Sequence, residues 1–289
     1  VIAGHRIERS LGHGGFGAVY AAVDLALDRP VALKVLHPDP TGQVLARFRD
    51  EARLLARLNH PNVIHIYRID QMPGGAPFLT MELFGDGHLG KHFARGVPGD
   101  VDACLAAIDQ VLAALDAAHG RGIVHRDIKE ANLLMDARSR QVKVCDFGIA
   151  RALEPMTGEA APTGGAVLGT PHYVAPERFR GVHDDPRSDL YAVGVVLYRL
   201  LTGRRPYETP GASALAIAHR VVSEDAAPPP QVPAAVARFC LRLLARGRLS
   251  LYRPSGIAQL AVRHLSRLDG RGALQDRLDA IKAKLEAEG

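Results

Sequence analysis

The stretch GIVHRDIKEANLLMD, residues 122–136, decides how the rest of this chain is interpreted. It places a His, an Arg, an Asp, a Lys and an Asn within eight residues, and it ends in an apolar LLM. Alone it fits two interpretations, a solvated charged loop before an ordinary strand and a catalytic loop. Charged loops are common, so the choice depends on the other motifs of the chain.

Length and composition limit the class of protein. The chain has 289 residues, 47% of them hydrophobic, which is enough for about two compact units with a large buried core. No apolar run of about 18 residues occurs, so we expect no transmembrane segment. Cys104, Cys145 and Cys240 form no CxxC pair, which predicts a cytoplasmic location. Because the chain starts at Val1, it fits the cytoplasmic domain of a longer protein.

The charge balance gives little support to a nucleic-acid partner. A formal net charge of +5 is a modest basic excess. Nucleic-acid binding would favour basic clusters interleaved with aromatic residues. The sequence has no such cluster and no Trp, so we expect no nucleic-acid binding.

Hydrophobic periodicity divides the chain into two parts. Residues 1–36 alternate in the manner of three strands, and residues 43–58 change to helical spacing. Two further strand-like runs, 63–70 and 77–83, complete a unit of five strands and one helix. From about residue 99 the pattern is helical, with helices predicted over residues 100–120, 187–201, 211–223 and 233–245.

The segment LGHGGFGAVY carries Gly12, Gly14 and Gly17 in a G-x-G-x-x-G frame, followed by Val19. A dinucleotide-binding turn shares this frame but needs a helix after the glycines. Strand residues follow here, which favours a hairpin whose backbone N–H groups cover phosphates. An ordinary glycine-rich hairpin is the alternative.

Lys34 ends the run VALK on the next predicted strand. Because its stem lies in apolar surroundings, its ammonium needs a charged partner. Glu51 on the following helix is the candidate, since Asp50 points about 100° away around that helix. Such a pair would direct Lys34 toward nucleotide phosphates.

Two more motifs complete a recognisable set. HRDIKEAN carries Asp127, Lys129 and Asn132, and CDFG carries Asp146. With the Gly-rich loop, the strand Lys and VAPE at 174–177, the order resembles that of eukaryotic-type protein kinases. The resemblance is greatest to the bacterial eukaryotic-like Ser/Thr kinases, and it covers residues 5–267.

The resemblance implies an α+β, bilobal protein-kinase fold. The small lobe, residues 1–81, would hold a five-stranded antiparallel sheet and one main helix. A hinge at 82–86 would lead to a larger, mainly helical lobe at 87–267. Residues 268–289 would form a helical extension, either packed on the large lobe or part of a short coiled coil.

It also implies a transfer of the ATP γ-phosphate to Ser/Thr hydroxyls of protein substrates. Asp146 and Asn132 would hold Mg²⁺, for which Mn²⁺ can substitute. Asp127 would accept or orient the hydroxyl proton, and Lys129 would reach the γ-phosphate. Thr170 would hydrogen-bond near both. The residues expected around the nucleotide are Leu11, Gly12, Gly14, Gly17, Val19, Ala32, Lys34, Met81, Glu82, Phe84, Leu134 and Asp146, with backbone groups of Glu82 and Phe84 meeting the adenine edge.

Other conspicuous residues are expected to be structural. His125 and Phe147 would stack with Leu55 and Ile66 into an apolar spine, and Cys145 would fill core space. In addition, Asp189 would be buried and accept hydrogen bonds from the backbone of the HRD segment. Glu177 would pair with an Arg near the C-terminus, either Arg253 or Arg248.

Arg126 indicates regulation, because the family's equivalent Arg pairs with a phosphate on the activation loop. We therefore expect autophosphorylation, at Thr163 first and Thr157 second. His88 and Ala131 occupy positions where kinases that prefer basic substrates carry acids, so no strong preference for Arg is expected.

Two alternative functions remain open. One is a scaffold of kinase fold with weak catalysis, although Lys34, Asp127 and Asp146 are all retained. Another is a small-molecule phosphotransferase, which would usually lack the GTP…APE segment. A homodimer through the kinase lobe or the C-terminal helix is compatible with either.

Overall fold

The computed structural model describes residues 1–14, 17–37, 58–93, 98–147, 171–182 and 185–245. The predicted helix over 43–58 and the C-terminal extension therefore lie outside the described residues, apart from Leu58. That residue is 3% exposed and packs in the main core.

A five-stranded sheet comes first in the chain. Its strands are β1 (His5–Gly14), β2 (Gly17–Asp24), β3 (Arg29–Leu36), β4 (Ile66–Gln71) and β5 (Pro77–Glu82). They lie in the order β1-β2-β3-β5-β4, and every neighbouring pair is antiparallel. The predicted five-stranded antiparallel sheet is confirmed.

The central strand β3 carries the run VALK. Because β2 and β5 flank it, Val31, Ala32 and Leu33 are all buried even though they point to alternating faces. Lys34 follows them and is only 6% exposed. The strand thus sets an ammonium group inside apolar surroundings, as the sequence predicts.

The rest of the described chain is mainly helical. A small sheet joins β6 (Gly87–His88), β7 (Leu133–Met135) and β8 (Val142–Val144) in that order. The helices are α1 (Leu89–His92), α2 (Val101–His119), α3 (Pro186–Thr202), α4 (Ala214–Ser223) and α5 (Ala234–Leu243). Short 3-10 turns span Glu130–Asn132, Pro171–Tyr173 and Arg178–Arg180.

Helix α2 begins and ends where its sequence predicts. The Asp100 side chain accepts a hydrogen bond from the Ala103 N–H at 2.8 Å, satisfying a free donor of the first turn. Gly120 follows the last helical residue. Helix α4 begins later than predicted, at residue 214, because the Ser213 side chain caps it by accepting from Ala216.

Helix α3 lies at the centre of the helical region. Asp185 caps it, Pro186 occupies its first turn, and Gly203 ends it with a positive φ of 76°. Every residue from Ser188 to Thr202 is buried, which explains why the run is apolar almost all round. Helices α2 and α5 pack against it within the main core.

The described fold is therefore a five-stranded antiparallel sheet followed by a helical region, as expected for the α+β bilobal fold. Residues 83–86 connect β5 to β6, and the domain limits at 81, 86 and 267 stay predictions. No helix among the described residues combines the length and apolarity needed to cross a membrane.

Candidate active site

The side chain of Asp189 supports the loop of residues 125–132, which is called here the HRD loop. Its carboxylate oxygens accept from the backbone N–H groups of His125 and Arg126, both at 2.8 Å. His119, the last residue of α2, places Nε2 2.8 Å from the same carboxylate. The predicted role of Asp189 is confirmed, and His119 is a partner that sequence reasoning missed.

Asp189 stays ionised despite its burial. Burial by itself would raise the pKa of this carboxyl, but the hydrogen bond from His119 and the charges of His125 and His119 outweigh it. The pKa of Asp189 therefore lies below its ordinary value of 3.8. A fixed negative charge thus anchors the HRD loop to α2 and α3.

Two polar side chains converge on one carboxylate. Lys129 Nζ lies 2.8 Å from Asp127 Oδ2, and Asn132 Nδ2 lies 2.9 Å from the same oxygen. The Asn132 amide also donates to the Asp127 carbonyl at 2.7 Å. The loop thus presents Asp127 in a fixed orientation, about one-third exposed.

Two residues of the site have left-handed backbone conformations. Arg126 has a φ of 69° and Asp146 a φ of 64°. Non-glycine residues in this region cost about 1 kcal/mol or more, and they concentrate at functional sites. Asp189 supports the Arg126 conformation by accepting its N–H.

Lys34 reaches across from the five-stranded sheet to Asp146. The Lys34 Nζ lies 2.7 Å from Asp146 Oδ2, with side chains 8% and 24% exposed. The predicted partner of Lys34, Glu51, lies outside the described residues. Among the described residues, the charged partner that the Lys34 ammonium needs is therefore the Asp146 carboxylate of the CDFG motif, 112 positions away in the sequence.

His125 is enclosed, which agrees with its predicted structural role. It is fully buried, its Nε2 lies 2.9 Å from the Cys145 carbonyl, and its ring centroid lies 4.5 Å from that of Phe147. Ile66 packs against the core cluster that contains Phe147, whereas Leu55 lies outside the described residues. The buried thiol of Cys145 has a raised pKa because of desolvation, so the residue fills core space as predicted.

Asn132 and Asp146 supply oxygen atoms close to two adjacent strands, Asn132 just before β7 and Asp146 just after β8. The Cys145 N–H donates to the Asn132 carbonyl at 2.9 Å, which places Asp146 one residue from the paired position. One carboxylate and one amide oxygen are hard oxygen donors of the kind that Mg²⁺ prefers. The residues therefore fit the predicted metal.

An apolar cluster joins the two sheets beside these groups. Ala32 and Met81 are buried in it, and Val19, Phe84 and Leu134 pack against it. Five residues expected around the adenine, from four separate stretches of chain, thus meet in one place. Leu11, in contrast, is 41% exposed and is not part of the cluster.

Glu82 differs in detail from the expectation. Its backbone N–H donates to the His65 carbonyl at 2.9 Å, which leaves only its carbonyl for an adenine edge. Its carboxylate accepts from Lys143 Nζ through both oxygens, at 2.7 and 2.8 Å. That ammonium also lies 5.0 Å from the centre of the Phe84 ring. Lys143 was missed because nothing local in the sequence links it to residue 82.

The glycines lie at the hairpin between β1 and β2, where Gly14 pairs with Gly17. At Gly17, φ is 146° and a Cβ would lie 2.0 Å from the Val35 carbonyl oxygen. At Gly12 a Cβ would meet nothing within 4 Å. The frame therefore contains one sterically required glycine at the close approach of two strands.

Several expected residues cannot be placed. Thr157, Thr163 and Thr170 lie outside the described residues, as do Arg248 and Arg253. Glu177 is described, and its carboxylate accepts from the Ser188 hydroxyl at 3.1 Å. Its predicted pairing with an Arg near the C-terminus stays a prediction.

Residues 5–255 match a protein-family model described as the protein kinase domain. The chain belongs to the protein kinase family. It is 39% identical over 254 residues to serine/threonine-protein kinase pkn3 of Myxococcus xanthus, covering 84% of this chain and 46% of that protein. It is 42% identical over 222 residues to serine/threonine-protein kinase PknL of Mycobacterium tuberculosis, covering 76% and 54%.

A third relative is the probable serine/threonine-protein kinase PknB of Bifidobacterium longum, 39% identical over 264 residues, covering 86% of this chain and 37% of that protein. The kinase domain thus spans about half or less of the length of the relatives it matches. These relatives are named as bacterial serine/threonine-protein kinases, and kinases of this family are ATP-dependent transferases.

Proposed function

We propose that the protein containing this kinase domain transfers the γ-phosphate of ATP to Ser/Thr hydroxyls of other proteins, with Asp127 as the base. The observation that carries the proposal is the meeting of Lys34 and Asp146, from separate sheets, beside the Asp127–Lys129–Asn132 group. Phosphoryl transfer depends on positioning and on charge stabilisation, and this group supplies both.

Each polar side chain has one task in this proposal. Lys34 neutralises negative charge on the nucleotide phosphates, and its pairing with Asp146 fixes where it does so. Asp127 accepts or orients the proton of the substrate hydroxyl, while Lys129 moves from Asp127 to the γ-phosphate. Mg²⁺, or Mn²⁺ in its place, would be held by Asp146 and Asn132 and would neutralise the phosphate charge.

The test compares phosphate incorporation into a protein substrate by wild type and by Asp127→Asn, with ATP and Mg²⁺ present. We expect a loss of about 100-fold or more, in the range for removing a positioned proton acceptor. Asp102→Asn, an exposed carboxylate at the start of α2, is the control and keeps full activity. Equal incorporation by wild type and Asp127→Asn contradicts the assignment. Nucleotide binding without incorporation by wild type indicates a scaffold instead.

The metal ligands are tested separately from the base. Asp146→Asn and Asn132→Ala should each raise the Mg²⁺ concentration needed for half-maximal nucleotide binding, measured by calorimetry without any turnover. Asp127→Asn should leave that concentration nearly unchanged if its carboxylate acts on the hydroxyl. A shift as large for Asp127→Asn as for Asp146→Asn argues against this division of roles.

We also propose autophosphorylation at Thr163 first and Thr157 second, with Arg126 receiving the phosphate and Thr170 holding the HRD loop. Arg126 lies next to Asp127 in a fixed left-handed conformation, so a phosphate bound there would act directly on the site. Mass spectrometry after incubation with ATP is the test. Phosphate found only outside residues 150–170 would be inconsistent with the proposal.

Location and assembly are further proposals. The three cysteines are free and buried, and burial raises the pKa of Cys104 to about 12. Unreactive thiols suit a reducing cytoplasm, which cell fractionation would test. A homodimer through the kinase lobe or the C-terminal helix would appear as a doubled mass in light scattering, lost on truncation after residue 267 only if that helix forms it.

A further inference from the structure

A buried carboxylate within the HRD loop has no part in the reaction proposed above. Glu130 is 6% exposed, and its Oε2 accepts the hydroxyl of Tyr173. Arg205 Nε in turn donates to the same Tyr173 hydroxyl at 2.6 Å. One side of the Glu130 carboxylate is thus committed to Tyr173 and, through it, to Arg205.

Arg199 approaches the other side of that carboxylate. Its Nε lies 3.3 Å from Glu130 Oε1, within ion-pair distance but without a hydrogen bond. Arg199 is 8% exposed, and its buried Nη1 has no hydrogen-bond partner among the residues that the structure describes. A desolvated guanidinium is costly unless an anion faces it. Two guanidinium groups therefore share one carboxylate here.

The start of α1 brings the imidazole of His88 and the ammonium of Lys91 to the same corner. A Cβ at Gly90 would lie 3.0 Å from the His88 ring and 3.5 Å from Glu130 Cβ, so these two side chains flank one backbone. Burial lowers the pKa of His88, and the charges of Lys91 and Arg199 lower it further against the opposing effect of Glu130. The lowered pKa favours the neutral imidazole of His88, so the positive charge beside it comes from Lys91 and Arg199.

The nearby acids are already engaged. Asp86 lies 3.0 Å from His92 Nε2, and Glu208 accepts the Arg205 backbone N–H at 2.8 Å. Lys91 is exposed at the rim of the cluster. These residues form a set called here the basic corner: His88, Lys91, Glu130, Tyr173, Arg199 and Arg205. Among the described residues, its three cations, Lys91, Arg199 and Arg205, outnumber the two carboxylates that face them, Glu130 and Glu208, so the corner carries a net positive charge.

The basic corner lies close to where a substrate hydroxyl must bind. Glu130 follows Lys129, whose ammonium bonds Asp127, and three residues of chain span at most about 10 Å. An extended peptide advances about 3.3 Å per residue. A side chain within about three residues of the target hydroxyl can therefore reach this corner.

We propose that the basic corner is a specificity site, which selects protein substrates carrying an Asp or Glu within about three residues of the phosphorylated Ser or Thr. The carboxylate would be received by Lys91 at the rim and by the guanidinium groups of Arg199 and Arg205, while Glu130 and Tyr173 hold those groups in place. This inference rests on the proposed function, because it takes Asp127 as the point where the hydroxyl binds.

The test measures kcat/KM for peptides that share one target Thr and differ at a single flanking position. For each of three positions on either side, the variable residue is Ala, Glu or Arg. We expect Glu to exceed Ala by about ten-fold at one or more positions on one side, and Arg to fall below Ala, as for a charge-assisted hydrogen bond.

Two variants test whether the preference for acidic peptides arises at the basic corner. Lys91→Glu alters an exposed side chain and should reduce the Glu-to-Ala ratio to about one or below. Arg199→Gln should reduce the ratio as well, with the thermal unfolding midpoint recorded because Arg199 is buried. The control is Arg238→Glu on α5, an exposed arginine, which leaves the ratio at its wild-type value.

Each outcome bears on one claim. Equal rates for Glu and Ala peptides in wild type, or a preference for Arg, would overturn the proposal that the basic corner selects acidic substrates. Either result would leave the kinase assignment intact. A wild-type preference for Glu that survives in both Lys91→Glu and Arg199→Gln also overturns it. Absence of incorporation into every peptide and into the kinase itself overturns the proposed function, and this inference with it.

Discussion

At the scale of single residues, the site depends on charged groups that burial and backbone conformation hold in fixed positions. Lys34 is fixed by its burial in β3, and Asp146 by its left-handed backbone. Their contact at 2.7 Å lies in the range of charge-assisted hydrogen bonds. The pair is partly shielded from water, where electrostatic attraction is stronger than at the surface. The ammonium is therefore set in place before any nucleotide binds.

Lys34→Met should remove this charge without unfolding the domain. Met keeps the length of the stem and suits the apolar surroundings of β3, so the thermal midpoint should change by only a few degrees. Phosphate incorporation should fall by about 100-fold or more, because charge stabilisation of this kind is the largest single contribution to catalysis. Radiolabelled ATP gives the rate and circular dichroism the midpoint.

Lys34→Arg is the companion variant. It keeps the charge, but a planar guanidinium does not reproduce a compact ammonium, so we expect activity to remain well below wild type. Near wild-type activity in Lys34→Met would contradict the proposed role, whatever Lys34→Arg does.

At the scale of elements, two local contacts connect the strands to the site. The first is the close approach of β2 to β3 at Gly17, where the carbonyl of Val35 occupies the space of a Cβ. The second is the Glu82–Lys143 pair, which ties the end of β5 to β8. Both hold the walls of the apolar cluster at a defined separation.

Gly17→Ala should destabilise the hairpin. With φ at 146° and a Cβ only 2.0 Å from a backbone oxygen, the strands must separate, which costs about 1–3 kcal/mol. The unfolding free energy from a urea titration measures this, and ATP affinity should fall with it. Gly12→Ala is the matched control, since nothing lies within 4 Å and φ is not positive; a similar loss in both variants would refute the steric explanation.

Lys143→Met should weaken the link between β5 and β8. The Glu82 carboxylate is 23% exposed and would lose its bidentate partner, at a cost of about 1–3 kcal/mol. Glu82→Gln alone should cost a similar amount. A double-mutant cycle measured by urea unfolding should give a coupling energy clearly different from zero, whereas additive losses would mean that the pair contributes nothing.

At the scale of the whole molecule, Asp189 connects the HRD loop to two helices. It lies on α3, accepts from the HRD loop, and contacts His119 at the end of α2. These helices also carry most of the main core. The stability of the helical region and the geometry of the site therefore both depend on the buried carboxylate of Asp189.

Asp189→Asn should cost about 3 kcal/mol of unfolding free energy near neutral pH, in the range for breaking a buried ionic contact. Because the pKa of Asp189 is lowered in the folded state, its contribution is present above the ordinary value of 3.8 and is lost as pH falls through the lowered pKa. The difference in unfolding free energy between wild type and Asp189→Asn should therefore narrow only at acidic pH.

Urea titrations at several pH values measure this gap, with the exposed Asp102→Asn as control, expected to stay within about 0.5 kcal/mol of wild type. A gap that widens toward acid would contradict the lowered pKa. We also expect reduced kinase activity in Asp189→Asn at neutral pH, since the Arg126 backbone loses part of its support.

Much of the site could be read from local sequence, for a physical reason. Strand and helix periods, helix caps and the glycine frame depend on neighbouring residues, so the five strands and α2 lie where they were predicted. The HRD loop is a contiguous motif, and Asp127, Lys129 and Asn132 meet as expected. The contact between Glu82 and Lys143 was missed because it depends on the register of separate strands.

The sequence by itself determined the family and the order of the elements, and it singled out the candidate residues of the site, since these depend on motifs and local patterns. Only the tertiary structure decided which charges pair. It joined Lys34 to Asp146 across 112 positions and brought Arg199, an isolated charge in an apolar helix, to Glu130 of the HRD loop. Long-range pairing follows from how helices and sheets pack, and no local pattern encodes that packing.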